Sequence, residues 1–197
     1  MRLSLLAVLA GAALAIALGG RPRYLPSRRL RLASLPFLAV VLYWVPQLVG
    51  AFRTAGVALV LCSYAALLAF AVANLRLVGM AVVLAGLGCN ATVILANQGM
   101  PVDAAAVVAS GLARPDDIST LDLGSARKWR EPTDDLSVLG DIIPVPALSE
   151  VVSFGDLILA FGLADVAFRL LGPARSRGEK QHQEDRAHRG RSGSRER

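Results

Sequence analysis

The chain has 197 residues, 54% of them hydrophobic, with a formal net charge of +6 and a mean hydropathy of +0.52. The length suits one domain. The apolar excess, gathered in long Leu/Ala/Val/Gly runs, excludes an ordinary soluble composition and points to a polytopic membrane protein. The positive charges flank these runs and fill the tail, where the positive-inside rule puts them, so they argue for no nucleic-acid partner.

Five segments of about 20 residues match the ~30 Å hydrocarbon core of a bilayer. They are about 3–20, 33–52, 55–73, 77–96 and 153–171. The chain therefore reads as all-α: a bundle of five transmembrane helices over residues 1–172, with one structured extracytoplasmic loop at 97–152 and a disordered basic tail at 173–197. The first run also has the features of a signal peptide: Arg2, an apolar core and small residues in ALAIALGG. Cleavage would strand Arg21, Arg23, Arg28, Arg29 and Arg31 outside, so a retained span is expected.

Within the spans, Gly11, Ala15 and Gly19 recur every four positions, and Gly79, Ala85, Gly86 and Gly88 crowd the fourth run. Small faces let helices approach closely in lipid. Packing within one bundle is their simpler use and a dimer seam the other. Pro46, in YWVPQ, should kink the second helix. Asn90 should hydrogen-bond across helices. Cys62 and Cys89 read as small buried hydrophobes. His182 and His188 lie in the tail, so the body has no imidazole for a zinc site, a triad or a proton shuttle. No metal or cofactor is expected.

The loop opens with NQGMPVDAAAVVASGLA. After Asn97 it turns at Gly99 and Pro101, and Asp103 can cap a short helix over 104–112 lying on the bundle or at the interface. Trp129, between Lys128 and Arg130, looks like an interfacial anchor. Thr133 can cap the next turn, with Gly140 as its stop. Pro144 and Pro146 make 142–147 extended, and such backbone must be covered by protein or kept wet. Ser153 and Asp156 form a capping box at the start of the last span. Asp141, set between Gly140 and Ile142, could cap backbone N–H groups, pair with Lys128 or Arg130, or face a pocket.

Asp165 lies about twelve residues into the last span. An acid at that depth costs at least ~2.5 kcal/mol and raises a functional hypothesis. Arg169, four residues on, offers a structural ion pair and can snorkel. Residues 19–32 hold five arginines and no acid, 97–152 hold nine acids and four bases, and 173–197 hold eight bases and four acids. This asymmetry predicts a multi-pass plasma-membrane protein with its N-terminus outside and its tail in the cytoplasm.

GGRPRYL after the first span, NQGMPV after the fourth, and LGDIIPVP followed by SFGD before the fifth resemble a bacterial membrane-protein family catalogued as domain of unknown function 5317. The resemblance runs over roughly residues 3–172 and rests on Gly19, Gly20, Arg21, Asn97, Gly99, Met100, Pro101, Gly140, Asp141, Pro144, Ser153, Gly155 and Asp156. It implies a membrane protein of actinobacterial or related type and no particular activity.

Three functions compete. The first is a non-catalytic envelope protein, in the lipid bilayer, that holds a membrane or envelope protein partner through its acidic loop. The second is a binding or transport protein for a lipid or small molecule, with Asp141, Asp156, Asp165 and Asn90 as the polar path and Asn97 as a further candidate. The third is a membrane enzyme on a lipid-linked substrate, with Asp134, Asp135 and Asp141 as oxygen ligands for a divalent cation.

Overall fold

Leu- and Ala-rich runs favour helix, and a backbone set among apolar side chains has to bond itself. The computed structural model describes residues 2–19, 30–49 and 53–171. It folds the apolar runs into α1 (Arg2–Ala17), α2 (Leu35–Val49), α3 (Arg53–Ala73), α4 (Met80–Asn97) and, after the short α5 (Ala104–Ala109), α6 (Phe154–Leu171). All five expected segments are helical, with α1 and α2 shorter than expected. Thr54–Ala73 and Met80–Asn97 are the two described helices long and apolar enough to cross a membrane by themselves. The Gly20–Arg21 motif, the arginine-rich stretch after it, the Pro46 side chain and the tail lie outside the described residues.

The long helices pack in the order α2–α3–α4–α6–α1. Side-chain contacts fix their directions. Ser63 Oγ donates to the Ala39 carbonyl at 2.9 Å and Asn74 Nδ2 to the Arg31 carbonyl at 2.8 Å, so α2 and α3 run antiparallel. Gly86 lies against Leu159 and Gly162 against Val83, so α4 and α6 run antiparallel too. Gly11 backs onto the Ala164 carbonyl, while the Arg2 N–H donates to Glu150 at 3.0 Å just ahead of α6; these two helices are parallel. The small residues at Gly11, Ala15 and Gly86 are thus used inside the bundle: a side chain at either glycine would collide with backbone, and Ala15 is fully buried.

One apolar cluster joins Val57 and Val60 of α3 to Val93 and Ile94 of α4, Met100 and Ala126. A second joins Ala71, Met80, Val83 and Leu87. Large side chains on the outer faces are exposed, among them Leu5, Leu9, Phe37, Leu48, Leu95 and Phe161.

The loop corrects the all-α expectation. It carries four short strands: β1 (Met100–Val102) pairs in parallel with β2 (Arg127–Trp129), and β3 (Ile143–Val145) pairs antiparallel with β4 (Glu150–Val152). Prolines at 101 and 144 bar helix, and covered backbone must pair with something. Pro146 instead opens a 3-10 turn over Pro146–Leu148, so the expected extended segment 142–147 is strand only over Ile143–Val145. The strands are too short to leave a periodic signal. Asp103 caps α5 as expected, accepting from the Ala105 N–H at 2.8 Å. That helix stops at Ala109 and packs on β3 and β4 instead of on the bundle. Trp129 likewise joins a small core inside the loop, with Val102, Ala106, Val107 and Val151, which replaces the interfacial-anchor reading. Thr133 caps nothing among the described bonds; the turn before Gly140 spans Ser137–Leu139 and begins at Leu136.

Candidate functional site

The loop-side end of the α4–α6 contact is polar. Ser153 Oγ accepts from the Asp156 N–H at 3.0 Å, and Asp156 Oδ2 accepts from the Ser153 N–H at 3.2 Å, which is the expected capping box. Asn90, fully buried, completes it from α4. Its Nδ2 donates to Asp156 Oδ1 at 2.7 Å and its Oδ1 accepts from Ser153 Oγ at 2.9 Å. The network closes because Gly155 has no side chain: a Cβ there would run into Asn90 Oδ1. Each buried polar atom of the trio is used, the condition under which such a network rigidifies a fold.

Asp141 is held by backbone first. Its N–H donates to the Pro101 carbonyl at 2.8 Å, and its own carbonyl accepts from the Asp103 N–H at 3.0 Å, so it bridges to β1. Gly140 makes this approach possible, since a Cβ there would lie 2.6 Å from the Pro101 carbonyl oxygen. The side chain is 2% exposed and faces Arg127, with Nε 2.9 Å from Oδ2. The expected partners, Lys128 and Arg130, are taken elsewhere: Lys128 pairs with Asp134, and Arg130 with Asp103 at 3.2 Å. Strand alternation explains the difference. Residues 127 and 128 of β2 point to opposite faces, and only the first faces the bundle.

Burial pushes the Asp141 carboxyl up to about 7 against the pull of Arg127, and the charge of Asp156 pushes the same way. The guanidinium of Arg127 works against partial burial, yet Asp141 and the nearby acids hold it above its ordinary value. Asp134, although its side chain is buried, is held below the carboxylate range by Lys128 and the Glu131 N–H.

Between these groups lies a half-open cavity of about 200 Å³. All five long helices and the loop reach it. Its polar end holds Arg127, Asp141, Asp156, Asn90, Tyr43 and Tyr64; its apolar walls include Val60, Leu67, Leu87, Ile94, Met100 and Leu159. Three of the sequence candidates, Asp141, Asp156 and Asn90, thus meet at one cavity.

The others do not. Asp165 sits at the far end of α6, where Arg169 Nε donates to both of its carboxylate oxygens at 2.8 and 2.9 Å. Asn97 pins the loop to α4, donating to the Asp135 carbonyl and accepting from the Asp135 N–H, each at 2.8 Å. Gly99 turns the chain out of α4 at φ +149°, Pro101 is buried in β1, and Pro144 faces Val151 across the β3–β4 pair. Asp134, Asp135 and Asp141 are not brought together, and among the described residues no group of three or more His, Cys, Asp or Glu could hold a metal.

Arg127, Tyr43 and Tyr64 escaped the sequence reading. An arginine in a polar loop and tyrosines in apolar helices carry no local mark of a site. Only the parallel pairing of β2 with β1, which puts Arg127 opposite Met100, would have found the first.

No curated protein and no solved structure matches the chain. Residues 26–167 match the Family of unknown function (DUF5317), a span that takes in both the NQGMPV and LGDIIPVP segments and most of the cavity wall, and the chain belongs to that family.

Proposed function

We propose that this is a five-span integral membrane protein that binds a small molecule in the cavity beneath its extracytoplasmic loop. The observation that carries the reading is the convergence of Arg127, Asp141, Asp156 and Asn90 on one half-open cavity with apolar walls. A pocket of that composition, with few polar groups at one end, is the common form of a ligand site.

Three further features support the membrane placement. The long helices alternate in direction through the chain, α1 and α6 both starting on the loop side. Their outward faces expose Leu, Val and Phe, which suits lipid and not water. The acidic loop lies at the end where α1 begins, as an N-terminus-outside topology requires. Docking of a protein partner on the loop has less behind it, because Asp103, Asp134 and Asp141 spend their charge on pairs within the loop.

The reading is tested by native mass spectrometry of the full chain released gently from its own membranes. A bound small molecule in the wild type, lost or reduced in Asp141→Asn, is the expected result. A wild type with no bound molecule, and no thermal stabilisation by membrane extract, would overturn it. Topology is checked by cysteines placed at Asp117 and at position 192, with Cys62 and Cys89 replaced. Position 117 should label from outside; labelling at 192 instead would reverse the orientation.

A further inference from the structure

The polar end of the cavity turns a cation toward a ligand and keeps the counter-charge behind it. Asp141 is sealed, whereas 41% of the Arg127 side chain is reachable. Asp141 engages Nε, and among the described residues no other partner is found for the Arg127 guanidinium. Asp156 is less available. It already accepts from Asn90 and from the Ser153 N–H, at the N-terminal end of α6, where the helix dipole offsets its charge. What the cavity offers a newcomer is therefore a fixed, forked donor, the form that suits phosphate and carboxylate.

Much of the remaining cavity wall is aliphatic, and beside the polar end the cavity has a side opening. Among the described residues the packed order α2–α3–α4–α6–α1 does not close into a ring, because α1 and α2 share no extended interface. Leu3 and Ser4 on one side of the gap, and Val40 and Tyr43 on the other, line the cavity, and Val40 is also 53% exposed. The first turn of α1 is held in place as a gatepost: Glu150 accepts from the Arg2 and Leu3 N–H groups, and Arg2 Nη1 donates to the Leu148 carbonyl at 2.7 Å. At about 200 Å³ and half open, the cavity is smaller than the ~300 Å³ that takes a drug-sized ligand, so an occupant of that size would extend out through the opening.

We propose that the site takes an anionic amphiphile, with a phosphate or carboxylate head on the free edge of Arg127 and an apolar tail that runs along Leu67, Leu87 and Leu159 and leaves toward the bilayer between α1 and α2. This rests on the binding reading above and names its ligand class and route. Asp141 is then a positioning residue, fixing the guanidinium.

The test is a titration of the full chain in neutral detergent, read by native mass spectrometry, with dioctanoyl phosphatidylglycerol, inorganic phosphate and dodecyltrimethylammonium as probes. Phosphatidylglycerol should bind saturably. Loss of charge-assisted bonds in Arg127→Gln should weaken it about tenfold or more, and Val40→Trp, which fills the gap, should weaken it too. Inorganic phosphate should not displace it. Complete displacement by phosphate would show a free-anion site and overturn the amphiphile. Tighter binding of the ammonium probe, untouched by Arg127→Gln but lost in Val40→Trp, would overturn this inference and leave the binding reading standing. No binding of any probe, with no molecule retained from the membrane, would remove both. If Arg127→Gln fails to fold with Asp141 left unpaired, Arg127→Gln/Asp141→Asn removes both charges; undiminished phosphatidylglycerol binding in that variant would overturn the proposal.

Discussion

Asp156 and Asp165 lie on the same helix, nine residues or about 13 Å apart along its axis, and in sequence each is an acid in an apolar run. In the fold they have opposite circumstances. Asp156 is tied to Ser153 and, across the helix contact, to the fully buried Asn90, and it borders the cavity. Asp165 pairs with Arg169 on its own helix, and that arginine is 53% exposed. A carboxylate whose partners come from another element reports on tertiary structure, whereas one answered four residues away reports only on its own helix. The deep acid, which insertion cost would single out, is the ordinary one.

Substitutions can break this comparison at several points. The largest effect should come from Gly86→Leu, since any Cβ there meets the Leu159 backbone N at 2.6 Å. Loss of the α4–α6 contact should cost about 3 kcal/mol or more and separate Asn90 from Asp156. Thermal unfolding in detergent measures it, and wild-type stability would mean that the helices do not meet as described. Asn90→Ala should cost about 2 kcal/mol by leaving the Ser153 O–H donor and Asp156 Oδ1 without their partners. In a double-mutant cycle with Asp156→Asn the two losses should be strongly non-additive.

Ser153→Ala removes a cap, at about 1 kcal/mol. Asp141→Asn sharpens the comparison through pH. Its folded carboxyl is raised to about 7 from an ordinary value of about 3.9, so the folded chain holds the extra proton. That contribution to stability is complete below pH about 4 and is lost as the pH rises through about 7. Melting curves between those limits should show the wild type losing ground against Asp141→Asn. A wild type that gains ground would mean that Arg127 keeps the carboxylate ionised throughout. Asp165→Asn should be the mildest, about 1 kcal/mol or less, because Arg169 is 53% exposed near the helix end and can snorkel to water once unpaired.

Much of the architecture was legible because its causes are local. The apolar runs named the five long helices, the Ser153–Asp156 and Asp103 caps followed from side chains reaching N–H groups two or three residues away, and the Asp165–Arg169 pair from one turn of helix. Asn90 was expected to bond across helices, but its partner was not foreseen. The loop was read less well. Its strands are three residues long, too short for alternation to show, and Trp129 beside two basic residues has the pattern of a membrane anchor although it packs under α5.

The sequence by itself determined which segments are apolar helices, how α5 and α6 are capped and how the charges divide along the chain, since each follows from side chains within a turn or two of one another. Only the tertiary structure decided that Asp141 faces Arg127 instead of Lys128 or Arg130, and that Asp141, Asp156 and Asn90 share a cavity. Those choices hang on β-strand register and on helix contacts between residues 60 or more positions apart. Over such separations a face is set by which backbones can touch, and here glycines at 86, 140 and 155 set it.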